Sequence, residues 1–410
     1  MIMKTVVRPE TEMKDSGLRW LGEIPNDWKV SRVGNFFSFS SGDSLTNEDI
    51  RDEGMYLVYG ANGVRGYYSK YNLDKKRILL GRVGALAGNV HIVDRKVWVT
   101  EHALIASNKL DVVEEYYGYV FESMNLIQYS KSSAQPVISG DTLQKLRFPV
   151  PELSEQQAIA DYLDETCSKI DEIIAEAKAS IDEYKELKQS VIFEAVTKGL
   201  DKNVEMKECS VNWLDEIPST WESIRLKYLL TEINNRSETG TEQPLSVSQV
   251  MGVVPSYMIS VANPTASYVG QKIVEPKDIV FNKLKAHLGV FFMSKYHGLV
   301  SPDYAVYRTN DKVIPKYLEY LFHTSACISE FKKYISGVAE GLMRLYTSDL
   351  FNIRICLPKV DEQIKIVEYV DNNVELFDSL IAEKESLIND LEAYKKSLIY
   401  EVVTGKRRVV

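Results

Sequence analysis

Residues able to do chemistry are scattered through this 410-residue chain, and their spacing fits few reactions. The five histidines, His91, His102, His287, His297 and His323, form no HExxH and no close pair, which argues against a zinc-hydrolase site. Four cysteines, Cys167, Cys209, Cys327 and Cys356, lie far apart in sequence without a CxxC, so a disulfide framework and a zinc ribbon are excluded and ordinary thiols are expected. Neither a GxxxxGK[ST] phosphate loop nor a GxSxG elbow is present. "GANGVRG" (Gly60 to Gly66) has the glycine spacing of a dinucleotide turn, but no helix and ribose-binding acid follow, so it reads as turn glycines. "NPTA" (Asn263 to Ala266) lacks the aromatic of a box that grips a flipped adenine, and Pro302-Asp303 lacks the ExK of a metal nuclease. Glu101 and His102 are adjacent on a predicted strand, where they would face opposite ways. The expectation is a chain with no catalytic and no metal-ligating residues of its own.

What remains suits reading a polyanion. Asn62, Arg65, Arg82, Lys131, Ser133 and Gln135 lie in Gly- or Ser-rich stretches where backbone can approach another surface. In the second half, "FNKLKAHLG" gathers Asn282, Lys283, Lys285 and His287, and Arg344 follows a Gly-rich turn. Arg can take guanine bidentately, Asn and Gln can take adenine, and Lys can hold phosphates. The plain alternative is a solvated surface. The net charge of -9 argues at first against a nucleic-acid partner. Charge is uneven, however: 28–150 carries 15 Lys+Arg against 13 Asp+Glu and 221–358 carries 15 against 12, whereas 152–200 carries 5 against 12 and 359–410 carries 8 against 11. The acid sits in two segments that need not touch DNA.

The elements that must position these residues follow from an internal repeat. "WLGEIPNDW" (Trp20 to Trp28) recurs 193 residues later as "WLDEIPSTW", with six of nine positions identical. The stretch from Pro149 through "SVIFEAVTKG" is answered 207 residues later, without a gap, by the stretch from Cys356 through "SLIYEVVTGK". Both tails are helical by pattern. Alternating steps of four and three pass through Ile159, Leu163, Ile170, Ile173, Tyr184 and Leu187 in one, and Ile366, Val370, Phe377, Leu380, Leu391 and Leu398 in the other, a heptad seam. A helix from about Ser154 to Lys198 cannot stand alone in water, and its simplest partner is its own repeat, antiparallel if a pseudo-twofold relates the halves. The alternative is that each helix merely covers its own domain. Short β-rich runs such as "RILLGRV", "KVWVTEHALIAS" and "DIVFNKL" give each variable block an α+β character. The expected order is an entry segment (1–27), a first globule (28–151), a helical spacer (152–200), a linker with the repeated entry motif (201–220), a second globule (221–358) and a second spacer (359–410). No apolar run approaches about 18 residues and the first residues turn charged early, so a cytoplasmic protein is expected.

The entry motif "LGEIPNDW"/"LDEIPSTW", the segment "YGANGVRGYYSKY…ILLGRVGALAGNVH…WVTEHALI", its counterpart "LSVSQVMGVVP…DIVFNKLKAHLGVFFMSKYHGLVSPDYAVYR" and the junction P-x-L-x-E-Q together resemble the specificity subunits of type I restriction-modification systems, over nearly the whole chain. Where that family carries N-R-M-x-A-x-x-G, this chain has "NKLKAHLG". The resemblance implies two target-recognition domains, each reading half of a split asymmetric DNA site, joined by two long antiparallel helices as a coiled coil. It implies partners as well: two modification subunits that methylate adenine with S-adenosylmethionine, and two restriction subunits using ATP and Mg, together a phage defence. No cofactor is implied in this chain. Physically, two globules on a rod meet one duplex face only near whole turns, about 34–36 Å apart, so the rod would act as a ruler. The competing readings are a subunit of a methyltransferase-only or other DNA-modifying complex, a coiled-coil protein-interaction scaffold, and an enzyme with an unrecognised site.

Overall fold

The computed structural model describes residues 4–130, 136–211, 213–259, 267–335 and 344–410. It divides into two compact units, Met1–Lys178 with Glu385–Val410, and Ala179–Lys384. Each combines a globule with parts of both long helices, Leu153–Lys198 and Val360–Val403, which pack together.

In the first unit the core sheet is antiparallel, with strands β1 (Phe37–Ser41), β4 (Arg77–Gly81), β5 (Val90–Val93) and β7 (Ala103–Asn108) in the order β1-β7-β4-β5. Strand β4 is flanked on both sides and its Ile78, Leu79 and Leu80 are all buried, which is why it reads as an unbroken apolar run without alternation. A second sheet holds β2 (Tyr56–Gly60), β3 (Gly63–Tyr68) and β6 (Val97–Val99), with β2 parallel to β6 and antiparallel to β3. The helix Glu114–Ser123 closes the core, its Tyr117 and Phe121 meeting Phe37 edge-on with centroids 5.3 and 5.7 Å apart. Such rings contribute about 0.5–1.5 kcal/mol per pair beyond the area they bury.

The second unit repeats this plan. Strands β8 (Leu230–Ile233), β11 (Ile279–Phe281), β12 (Phe291–Met293) and β14 (Ala305–Thr309) order as β8-β14-β11-β12, all antiparallel. The hairpin β9 (Leu245–Ser248)–β10 (Gly252–Pro255) is the counterpart of β2–β3, and a parallel bridge from Pro244 to Leu299 in β13 (Gly298–Val300) matches the β2–β6 pairing. "PKYLEYLFHTSACISEFKKYI" forms two helices, Pro315–Phe322 and Ser325–Lys333, and Phe281, Phe291, Phe322 and Phe331 form an aromatic cluster with centroids 5.1–6.2 Å apart.

Equivalent side chains tie each globule to the helices. Trp28 Nε1 donates to Glu155 Oε2 at 2.8 Å, and Trp221 Nε1 to Glu362 Oε1 at 3.1 Å. The Tyr116 hydroxyl donates to the Val403 carbonyl at 3.2 Å in the first unit, and the Tyr317 hydroxyl to the Val196 carbonyl at 2.8 Å in the second. Thus each globule grips the start of one long helix and the end of the other. The helices end on Gly199 (φ 76°) and Gly405 (φ 74°), left-handed positions that close a helix and suit glycine. Their pairing is antiparallel: Lys395 bonds Asp171 at 2.7 Å in the first unit, and the equivalent Lys188 bonds Asp378 at 2.6 Å in the second. These half-exposed ion pairs fix register and contribute at most about 1 kcal/mol each.

The seam differs from the expected heptads. After Leu163 the buried positions are Cys167, Ile170, Ile174, Ala177 and Ile181, so Ile173 and Leu187 point outward, 45% and 51% exposed. Ile159, Leu163, Ile170, Ile366, Val370 and Leu398 are buried, and Tyr184, Phe377, Leu380 and Leu391 half-buried. The cause is local: residues 155–164 face the globule through Glu155, Gln156 and Asp164. A straight helix at 3.6 residues per turn therefore takes two successive steps of four before its inter-helix face begins. Ile174→Asp should cost on the order of 2–5 kcal/mol by lost burial alone, and more with a buried carboxylate, whereas Ile173→Asp should stay within about 0.5 kcal/mol. Urea unfolding of the two neighbours decides between the registers, and equal losses would refute the observed one.

One further expectation is corrected, while the cysteines are free thiols as expected. "KVWVTEHALIAS" is not one strand, because Glu101 and His102 form the turn between β6 and β7 and their side chains lie 3.7 Å apart instead of on opposite faces. Cys209 and Cys356, 147 residues apart, bring their Sγ atoms to 3.0 Å as free thiols, and burial raises the Cys356 pKa, with the Cys209 contact adding to it.

Candidate nucleic-acid interface

The sequence candidates fall on equivalent loops of the two globules. In the first, the turn Ala61-Asn62 joins β2 to β3 and leaves Asn62 exposed at the hairpin tip, where its Oδ1 accepts from Asn89 Nδ2 at 3.2 Å. That bond ties the tip to the loop following β4. Arg65, exposed on β3, donates to Asn47 Oδ1 at 2.6 Å. Arg82 is the first residue after β4: its backbone N–H donates to the His102 carbonyl and its own carbonyl accepts from Ile138 N, both at 2.9 Å. Its Nη1 donates to Ser41 Oγ at 2.6 Å, while Nε is buried without a partner. Thr100 Oγ1 and Glu101 Oε2, in the neighbouring turn, are buried and unpartnered too. Lys131, Ser133 and Gln135 lie outside the described residues.

In the second globule β11 is followed by the short helix Lys283–Leu288. Asn282 caps it, its Oδ1 accepting from Leu284 N and Lys285 N at 3.1 and 3.2 Å, so the side-chain oxygen has a structural task. Lys283 lies 3.7 Å from Glu232, which also lies 3.8 Å from the buried Lys272. Burial lowers the Lys272 pKa and the nearby Lys283 lowers it further, against the pull of Glu232. Lys285 is exposed, and the half-buried His287 keeps an unpartnered Nδ1. The half-buried Arg344 is brought to this loop by its neighbour, since Leu345 N donates to the Lys283 carbonyl at 3.1 Å.

That last bond repeats the one from Ile138 N to Arg82. Arg82 and Lys283 are thus equivalent, 201 residues apart, each opening the loop after the third strand of its sheet. Sequence reasoning missed Ser41, Asn47 and Glu232, which hold these cations, and Lys272, which shares Glu232 with Lys283, because none sits in a motif and each reaches its partner across strands. Among the described residues no group of His, Cys, Asp and Glu is placed to hold a metal, and no helix is long and apolar enough to cross a membrane.

The family model described as "Type I restriction modification DNA specificity domain" matches residues 25–183 and 218–392. The chain is 34% identical over 140 residues to the EcoprrI specificity subunit of Escherichia coli, a match spanning 33% of this chain and 35% of that one. It is 23% identical over 438 aligned positions to the MjaVIII specificity subunit of Methanocaldococcus jannaschii, covering 100% of this chain and 99% of that one. Among solved structures, a chain of a type I R-M system studied for complex assembly and conformational transition aligns at TM-score 0.68, with 12% identity and coverage of 93% and 99%. The HsdS subunit from Thermoanaerobacter tengcongensis aligns at 0.52, with 15% identity and coverage of 93% and 98%. At those identities the likeness is one of fold. The duplicated match covers most of the chain, and the protein belongs to the type I restriction-modification DNA specificity family, as a specificity subunit with no catalytic role of its own.

Proposed function

We propose that this subunit reads an interrupted, asymmetric DNA site, one half through each globule, and carries that address to two modification and two restriction subunits. The observation that supports it best is the equivalence of Arg82 and Lys283, two cations opening the same loop of the same sheet in blocks of different sequence. Equivalent placement gives both globules one way of meeting a duplex, and different side chains give each its own bases. Asn62, Arg65 and Arg82, with Lys131, Ser133 and Gln135, serve the first half-site; Lys283, Lys285, His287 and Arg344, with the remaining amide of Asn282, serve the second. The chain itself uses no cofactor; S-adenosylmethionine belongs to the modification subunits, and ATP and Mg to the restriction subunits. Because the chain is acidic overall, most phosphate neutralisation falls to the partners, and the isolated subunit binds DNA weakly.

The test is an exchange of residues 28–151 for the corresponding block of another specificity subunit, in cells that also carry the modification subunit, followed by single-molecule sequencing of adenine methylation. One half of the methylated motif should change while the other half stays. A change in both halves would sink the two-reader account.

A further inference from the structure

The hairpin tip that touches the reading loop is polar in one globule and apolar in the other. In the first it is Ala61-Asn62, tied to the loop after β4 by the Asn89–Asn62 bond. In the second it is the three-residue turn Gln249-Val250-Met251, tied to the loop after β11 by Gln249 Nε2, which donates to the Leu288 carbonyl at 3.3 Å. Val250 is 92% exposed and Met251 49%. Their turn is built, not loose: Ser248 Oγ accepts from both Val250 N and Met251 N at 3.2 Å, and Gly252, paired with Ser248, takes φ 72° to close the turn. Two apolar side chains are therefore held out into solvent on a turn that Gln249 bonds to the end of the loop carrying Lys283 and Lys285. Water gains nothing from such an arrangement. A polyanion with apolar points on its edge does complement it.

We propose that Val250 and Met251 contact the C5-methyl group of thymine in the half-site read by the second globule, and that this tip, against Asn62 in the first, is one reason the two half-sites differ. The proposal rests on the DNA-reading function above. In the major groove thymine alone presents a methyl group, and apolar side chains recognise it, whereas an asparagine amide matches adenine. Cations in the adjoining loop hold the backbone while the tip meets the base edge.

The experiment uses the full chain assembled with its modification subunits, on duplexes bearing the methylated motif, the second half-site being assigned by the block exchange. Uracil replaces each thymine of that half-site in turn, which removes one methyl group and nothing else. At one position the wild-type complex should lose roughly fourfold in affinity, the value of a buried methyl. The variant V250S/M251S should bind the thymine duplex correspondingly less well and should no longer distinguish uracil from thymine. Indifference of the wild type to uracil at every position, a half-site with no thymine on either strand, or undiminished discrimination by the variant would each overturn the contact. A wild-type complex without preference for any sequence overturns the DNA-reading function itself, and the unsubstituted duplex reports that separately.

Discussion

Gln363→Ala is expected to destabilise the second unit by about 3–5 kcal/mol, because three backbone groups lose at once the partner that one fully buried amide gives them. The Gln363 side chain is fully buried; its Oε1 accepts from Ile314 N at 2.8 Å, and its Nε2 donates to the Lys312 carbonyl at 3.0 Å and the Pro358 carbonyl at 2.9 Å. Ile314 is the cap of the helix Pro315–Phe322, and Pro358 leads into the second long helix, so one amide joins a loop, a helix start and the spacer. Alanine restores none of these bonds. Its counterpart Gln156 joins fewer groups, accepting from Val113 N at 3.2 Å and donating to the Pro151 carbonyl at 3.0 Å. Gln156→Ala should therefore cost less, about 2–4 kcal/mol by the same reasoning. Thermal unfolding reads both: for a unit of this size the larger loss lowers the midpoint by roughly 10 °C. A loss under about 1 kcal/mol for Gln363→Ala would mean that the amide is not the joint between globule and helix.

That joint marks where the sequence stops being informative. The repeated E-Q pair is visible on inspection, and so are the long helices, expected from about Ser154 and found from Leu153 to Lys198. Helical periodicity and duplication are local or self-referential signals, readable without a third dimension. The purpose of Gln363 is not, because its partners are backbone atoms up to 51 residues away that carry no side-chain signature. The same limit explains the seam. Periodicity places an apolar stripe correctly, but whether Ile173 or Ile174 lies at its centre depends on which face the preceding turns give to the globule, a tertiary fact. It also explains Asn282, whose residue type suits adenine but whose oxygen is taken by the cap of the helix after it. Exposed Val250, by contrast, carries no chemical motif at all, and only the bond from its neighbour Gln249 to the loop after β11 gives it meaning.

Arg82→Ala should lower specific DNA affinity by about 10- to 100-fold, the roughly 1–3 kcal/mol of a bidentate base contact, with little effect on stability. The guanidinium is presented by a backbone fixed at both ends, through His102 O and Ile138 N, and one of its nitrogens is steadied by Ser41 Oγ. Preorganisation of this kind reduces the entropy lost on binding and is what separates a reading arginine from a mobile surface one. Removing the side chain deletes one hydrogen bond of the free protein but also removes a buried, unpartnered Nε, so the two stability effects oppose each other. Lys283→Ala should behave differently despite its equivalent position. Its amine is a point charge shared with Glu232, suited to a phosphate, so its loss should weaken matched and mismatched duplexes alike and reduce the salt dependence by about one phosphate contact. Anisotropy titrations of the assembled complex against matched and single-mismatch duplexes at two salt concentrations separate these outcomes. Discrimination should fall for Arg82→Ala and persist for Lys283→Ala; affinity and discrimination both within twofold of wild type for Arg82→Ala would remove it from the reading surface. The globules would then share a fold and a loop without sharing a way of using it.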